Sequence, residues 1–131
     1  MKTLLPPGWP RPKGYANGVS AHGRTIFTAG VVGWDAEERF AADDLAGQFR
    51  QVLENIVAIL SADDAGPEHI VRMTCYVTDI AEYRASLSGI GAAWREVIGR
   101  HYPAMAVVAV SALVEPKARV EIEAIAMVPE P

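Results

Sequence analysis

In the stretch RVEIEAIA, residues 119–126, two carboxylates stand two positions apart, Glu121 and Glu123. Side chains alternate across a strand, so Arg119, Glu121 and Glu123 share one face while Val120, Ile122 and Ala124 share the other. A carboxylate held in a crevice has its pKa raised by burial and can pass a proton, the chemistry of a general acid or base. The same pattern also describes a solvated strand face, and spacing leaves both readings open. A second stretch, RHYPAMAVVAVSAL (100–113), is a proline corner opening into a strand with no charge on it. Met105 stands there where a polar anchor could have stood, and a methionine offers adaptable apolar contact without charge.

Other chemistries find no support. The three histidines, His22, His69 and His101, are scattered without metal-ligand spacing, and no HExxH, CxxC, glycine-rich phosphate loop or nucleophile elbow occurs. No metal site is therefore expected. Cys75 is the only cysteine, so no intramolecular disulfide can form. It alternates with Val71, Met73 and Val77, which marks it as a small buried hydrophobe rather than a reactive thiol.

These residues need elements to position them. The first fourteen residues hold four of the nine prolines and read as an extended arm. YANGVSA and TIFTAG read as two short strands around a tight turn at His22 and Gly23, where glycine accepts positive φ. A loop through VVGWDAEERF and AADD leads to a helix from about Asp44 to Ala62. Leu45, Phe49, Val52, Leu53, Ile56, Val57 and Leu60 recur three or four apart on its apolar stripe. Asp43 or Asp44 can cap it, and Gly66 and Pro67 stop it. HIVRMTCYVTD alternates as a strand. Asp79 and Glu82 then form a capping-box pattern ahead of a second helix, with Ile80, Tyr83, Leu87, Ile90, Trp94 and Val97 on one stripe, ending near Gly99. Its interior glycines, Gly89 and Gly91, mark either close packing or weak spots. AMAVVAVSAL reads as a strand covered on both faces, and ARVEIEAIAMV as a last alternating strand.

The order β-β-α-β-α-β-β is an α+β architecture, a mixed sheet with two helices on one face, in a single domain over residues 1–131. The other sheet face has apolar candidates in Val107, Ala109, Val120 and Ile122, or their alternates, which predicts oligomerisation. The net charge of −4 argues against a nucleic-acid surface, and no apolar run approaches the ~20 residues of a membrane span. With no signal peptide in MKTLLPPGWPRPKG, the expected location is the cytoplasm.

GYANGV and TIFTAG, the helix QFRQVLENIVAIL, the strand HIVRMTCYVTD, and YPAMAVVAVSAL followed by ARVEIEAIA together resemble the RidA/YjgF family of enamine/imine deaminases. The likeness runs in order from about Gly14 to Met127. It implies a chorismate-mutase-like fold and a homotrimer whose sheets join into a central barrel, with small-molecule clefts between subunits. It also implies hydrolysis of reactive enamines and imines, such as 2-aminoacrylate, to 2-keto acids and ammonia, without metal or organic cofactor. By position, Tyr15 matches the family's cleft tyrosine and Glu121 the acidic residue near the attacking water. Gly30 matches the glycine of an S-G-Q stretch whose backbone amides can hold an anion. Here that stretch is TAGVV, with Ala29 for the serine and Val31 for the glutamine. Apart from the resemblance, Tyr15 reads equally as a packing aromatic at a strand end.

The larger departure is PAMA. Active deaminases of this family read P-A-R-S, and the arginine grips the substrate carboxylate; Met105 takes its place, with Val107 on the same strand face as a further candidate contact. The lost fork is worth roughly 1.5–3 kcal/mol per charge-assisted bond. Arg72, Arg100 and Arg119 are the candidates to replace it. The expectation is poor activity on small imino acids and a greasier site for a neutral or larger ligand. Two functions follow: an imine or enamine hydrolase of altered substrate class, with Glu121 as the catalytic group, or a trimer that binds a small metabolite without turnover. The acidic balance and the lack of a general-base histidine count against the ribonuclease activity attached to the family's name.

Overall fold

Ten regular elements follow one another in the computed structural model, which describes residues 1–131: β1 (Lys2–Leu4), β2 (Gly18–Ser20), β3 (Arg24–Phe27), β4 (Val31–Val32), α1 (Leu45–Ser61), β5 (Ile70–Val77), α2 (Ile80–Ala85), α3 (Leu87–Val97), β6 (Ala104–Ala109) and β7 (Val120–Val128). The main sheet runs β3-β7-β5-β6, with β4 also paired to β7. Strand β7 is antiparallel to β3, β4 and β5, while β5 and β6 run parallel. Only a long crossover can join a parallel pair, and α2 and α3 provide it. The expected mixed α+β sheet is therefore present.

Helix α1 buries Leu45, Phe49, Val52, Leu53, Ile56 and Leu60 of the stripe read from its spacing, while Val57 is half-buried against the core. They pack on Ile70, Met73, Cys75 and Val77 of β5, on Val120, Ile122, Ala124 and Ala126 of β7, and on Ile90, Ala93 and Trp94 of α3. Gly89 is a site of close packing, since a Cβ there would lie 2.9 Å from the Cβ of Ala46 on α1. Asp44 occupies the cap position of α1 without a side-chain hydrogen bond, and the left-handed residue past its end is Asp64, not Gly66. Asp79 does cap α2, accepting from the Glu82 amide at 3.1 Å.

Several expectations need correction. β2 and β3 do not pair with each other: β2 pairs with β1 and β3 with β7. Gly23 turns the chain at φ 141° and sits so close to the Val128 carbonyl that no side chain fits, which delivers β3 to the end of β7. There Ile26 faces Ala126 and packs against the core. The arm is thus partly a strand, and the following loop contains β4. The second helix breaks at Ser86 into α2 and α3, where the hydroxyl donates to the Glu82 carbonyl at 2.7 Å and competes with regular helix geometry. Strand β6 is not covered on both faces. It is a sheet edge, with Val108 43% exposed.

The faces are also settled. Val120 and Ile122 turn to the helices, and the register places Met105 and Val107 beside Met73 and Cys75 on that side. The open face carries their alternates instead: Arg72, Thr74 and Tyr76 on β5, Glu121 and Glu123 on β7, with Phe27 and Ile125 beyond. It is a mixed polar surface and not the apolar one expected. No helix is long and apolar enough to cross a membrane.

One buried polar side chain ties the layers together. Gln48, 1% exposed, donates to the carbonyls of Ala42 at 3.1 Å and Lys117 at 3.0 Å and accepts from the Arg119 amide at 2.8 Å. Replacing it removes the partner of three backbone groups at once, two carbonyls and an amide. Gln48→Leu is expected to cost about 2–4 kcal/mol in denaturant unfolding. A loss below about 0.5 kcal/mol, the level of an ordinary surface change, would refute this role.

Candidate functional site

Beside Pro103 the chain builds an open aromatic cleft. The Ala16 amide donates to the Pro103 carbonyl at 2.9 Å, and Ala16 bridges Ala104 in parallel, so Tyr15 is moored at the mouth of β6. Trp94 of α3 donates from Nε1 to the His101 carbonyl at 3.0 Å and stacks on Tyr102 with ring centroids 6.0 Å apart and planes 10° from parallel. His101 is itself held by a 2.6 Å bond between Nε2 and the Ile70 carbonyl. The space between these walls has a volume of about 340 Å³, within the range of small-ligand sites. Met105, Val107, Phe49, Ile90 and Trp94 contribute its apolar surface, with Tyr15, Tyr83, Leu87 and Tyr102 around them.

Burial raises two acids beside this cleft. The Tyr83 phenol is pushed up to about 12, first by desolvation and then by the neighbouring Cys75. The Cys75 thiol is pushed up to about 12 by desolvation alone. Cys75 is a packing residue.

The second group of candidate residues lies elsewhere. Thr28 donates its amide to the Ala124 carbonyl at 2.9 Å, while its hydroxyl accepts from the Ala124 amide at 2.9 Å and donates to the Ala29 carbonyl at 2.8 Å. This clamp lays Ala29 and Gly30 along β7. The Glu121 carboxylate then rests directly on the Gly30 Cα, so closely that even an alanine Cβ would collide with it. On the same face Tyr76 donates its hydroxyl to Glu123 Oε1 at 2.6 Å, and that bond holds the phenol above its ordinary range. The pair from the sequence thus divides: Glu123 is engaged by a tyrosine, and Glu121 lies on glycine with no hydrogen-bonded side chain.

Tyr15, Met105 and Val107 come together in the cleft, and Ala29, Gly30 and Glu121 come together on the open face. One chain does not unite the two groups, because residues 105 and 121 point to opposite sides of the sheet. Of the arginines considered as replacement anchors, Arg119 is taken by Glu82 at 3.0 Å and by the Asp43 carbonyl. Arg72 is on the open face, and Arg100 lines a neighbouring cleft. The charged residues that do line the aromatic cleft are Lys13 and Arg95, which the sequence reading missed. The available signal was spacing, since Gly91 and Arg95 lie one helical turn apart next to Ile90 and Trp94. The histidines do not meet: His22 is in the exposed turn, His69 accepts from the Gly66 amide through Nδ1 at 3.0 Å, and no trio of His, Cys, Asp and Glu forms a metal-binding group.

Residues 10–128 match the family model described as Endoribonuclease L-PSP. A 2-iminobutanoate/2-iminopropanoate deaminase of Salmonella typhimurium is 32% identical over 117 residues, 86% of either chain. The protein DfrA of Myxococcus xanthus is 35% identical over 111 residues, covering 80% of this chain and 77% of that one. Among solved structures, the Rid-family protein YyfB of Yersinia pestis, described as of unknown function, superposes with a TM-score of 0.85 at 30% identity over 97% of this chain and 98% of that one. The YjgF gene product of E. coli gives a TM-score of 0.71 at 30% identity with the same coverage.

Both raised acids favour their neutral forms in the folded state, so the stability they contribute is complete at neutral pH. It falls as pH climbs from about 9 towards about 12, and the native Cys75 thiol resists an alkylating reagent at pH 8. Reaction should become rapid only in denaturant. Modification of the native protein as fast as a free thiol would contradict the burial.

Proposed function

The chain belongs to the Endoribonuclease L-PSP family, the RidA/YjgF proteins, and from that premise we propose that it hydrolyses reactive imines or enamines to carbonyl compounds and ammonia. The observation that carries this reading is the separation of two complementary residue groups on opposite sides of the sheet. One side of the sheet offers an apolar aromatic cleft without a carboxylate, and the other offers a carboxylate seated on glycine outside the small cleft lined by Arg72, Thr74 and Glu123. A second copy supplies the missing half to each. The apolar edge strand β6 is bridged on its outer rim only at Ala104 and leaves the rest of that rim open where copies can meet, and a homotrimer is the assembly we propose.

The chemistry asks little of the protein. An enamine first takes a proton at carbon to give the iminium. Water oxygen then attacks the iminium carbon while the C=N π pair moves to nitrogen, and Glu121 accepts the water proton. Glu121 returns that proton to the nitrogen of the carbinolamine. The C–N bond then breaks as the hydroxyl oxygen closes the carbonyl and loses its proton, and ammonia departs. An iminium is already electrophilic, so one placed water and one proton carrier suffice. Tyr15 and the amides near Gly30 position the ligand. The seat on Gly30 is what brings the carboxylate close to those amides.

Met105 and Ala29 favour a second reading, a trimer that captures a metabolite without turnover, since neither side chain can hold a substrate carboxylate. The two readings separate in an assay where an amino-acid oxidase generates imines and semicarbazide traps them. Hydrolysis predicts faster imine loss with the protein, reduced about 100-fold or more by Glu121→Ala with an unchanged sedimentation profile. No acceleration with any imine, even in Met105→Arg, would leave the binding reading.

A further inference from the structure

We infer that the aromatic cleft selects carboxylates that carry a large apolar or aromatic group, holding the carboxylate at its mouth through Arg95 and Lys13. This deepens the reading of the cleft as the ligand site and rests on it.

The cleft has no cation among its apolar inner residues. Its charged lining consists of Lys13, on the segment leading to Tyr15, and Arg95, on the outer turn of α3. Neither takes part in an ion pair, as is true of Arg11 and Arg100 beside the neighbouring cleft, so both are free to meet an anion. The Arg95 guanidinium also does not extend away from its helix. Its Nη1 lies 3.3 Å from the point where a Cβ of Gly91 would be, one turn back along α3. Long helical side chains lean towards the preceding turn, and at Gly91 that turn is bare. Gly91 lines the cleft, so the glycine leaves a shelf on which the guanidinium lies at the cleft wall.

The surrounding field has the same sign. A neighbouring cleft shares Gly14, Tyr15 and Tyr102 with this one, and its charged lining is Arg11 and Arg100, with His101 and no carboxylate. In a chain of net charge −4, no carboxylate of the same chain lines either side of the Tyr15–Tyr102 wall. A cleft lined by one sign of charge concentrates ligands of the other. Its dimensions set the rest of the specificity. A small acid reaching Arg95 would leave the space around Met105, Val107 and Trp94 unfilled, while a neutral aromatic would leave the guanidinium without a partner. An acid with a benzyl-sized or larger substituent satisfies both. Relative to an anchor at position 105, the anion is moved from the floor to the rim, and the substituent is moved inward.

The test uses stable carbonyl compounds, so that binding is read without turnover. Phenylpyruvate, pyruvate and phenylacetone are titrated calorimetrically into the protein at low salt, then into Arg95→Gln, Lys13→Gln and the double variant. Arg84→Gln, an exposed change on α2 outside the cleft, is the control. Phenylpyruvate should bind at least tenfold more tightly than either pyruvate or phenylacetone. Arg95→Gln should weaken phenylpyruvate about 10- to 100-fold, as loss of a charge-assisted pair does, and leave phenylacetone unchanged. Failure of phenylpyruvate to bind, or a preference for it that survives in the double variant, overturns the anchor. Loss of that preference in a protein that hydrolyses no imine sustains the anchor and removes only the hydrolase reading. Hydrolysis of acidic and neutral aromatic imines at equal efficiency removes only the anchor.

Discussion

The constraint on which the rest of this molecule depends is the two-residue period of β5 and β7 locked in antiparallel register. Met73 opposite Ala124, Cys75 opposite Ile122 and Val77 opposite Val120 point one way, and α1 and α3 cover them. Thr74 opposite Glu123 and Tyr76 opposite Glu121 must then point the other way. A slip of one residue would bury both carboxylates under the helices and expose the core, so folding energy and site geometry are fixed by the same pairing. The parallel register of β6 extends this rule to the edge, where it turns Met105 and Val107 to the helix side.

Everything that shapes the two residue groups follows from that division. On the helix side, Met105 and Val107 of β6 are only half-buried, and they share a cleft with Tyr15, beside the Ala16 bridge, and with the stacked Trp94 and Tyr102. On the open side, the Thr28 clamp lays a glycine beneath Glu121 while Tyr76 occupies Glu123. Two carboxylates with identical sequence patterns thereby acquire different roles, one structural and one available.

Local periodicity was readable in the sequence because it depends on the chain's own geometry. The stripe of α1 and the alternation of β5 and β7 needed no knowledge of neighbours, and neither did the Asp79 cap. The choice of face was hidden, because Val120 and Glu121 alternate identically whichever side the helices take. The partner of β3 was hidden as well, since Gly23 signals a turn but not the Val128 carbonyl against which it is fixed. Nor did the stripe of the second helix show the break at Ser86, where a single hydroxyl captures a carbonyl. Arg95 was missed for a physical reason too: a charged residue on an amphipathic helix ordinarily faces water, and here its direction depends on a bare glycine one turn away. The resemblance assigned Tyr15, Gly30, Met105 and Glu121 to one cleft, and one-dimensional alignment does not show that within one chain a sheet separates Met105 from Glu121.

The division of the site is tested most directly by subunit mixing. Glu121→Ala removes the carboxylate half, and Val107→Trp fills the cleft half. Each variant alone should be inactive in imine hydrolysis. Unfolded and refolded together in equal amounts as mixed assemblies, they should regain roughly a quarter of the wild-type rate, because random assembly pairs an intact cleft with an intact carboxylate at one site in about four. A rate that stays at the level of the separate variants, with mixed assemblies demonstrated by native mass spectrometry, contradicts a site built between copies.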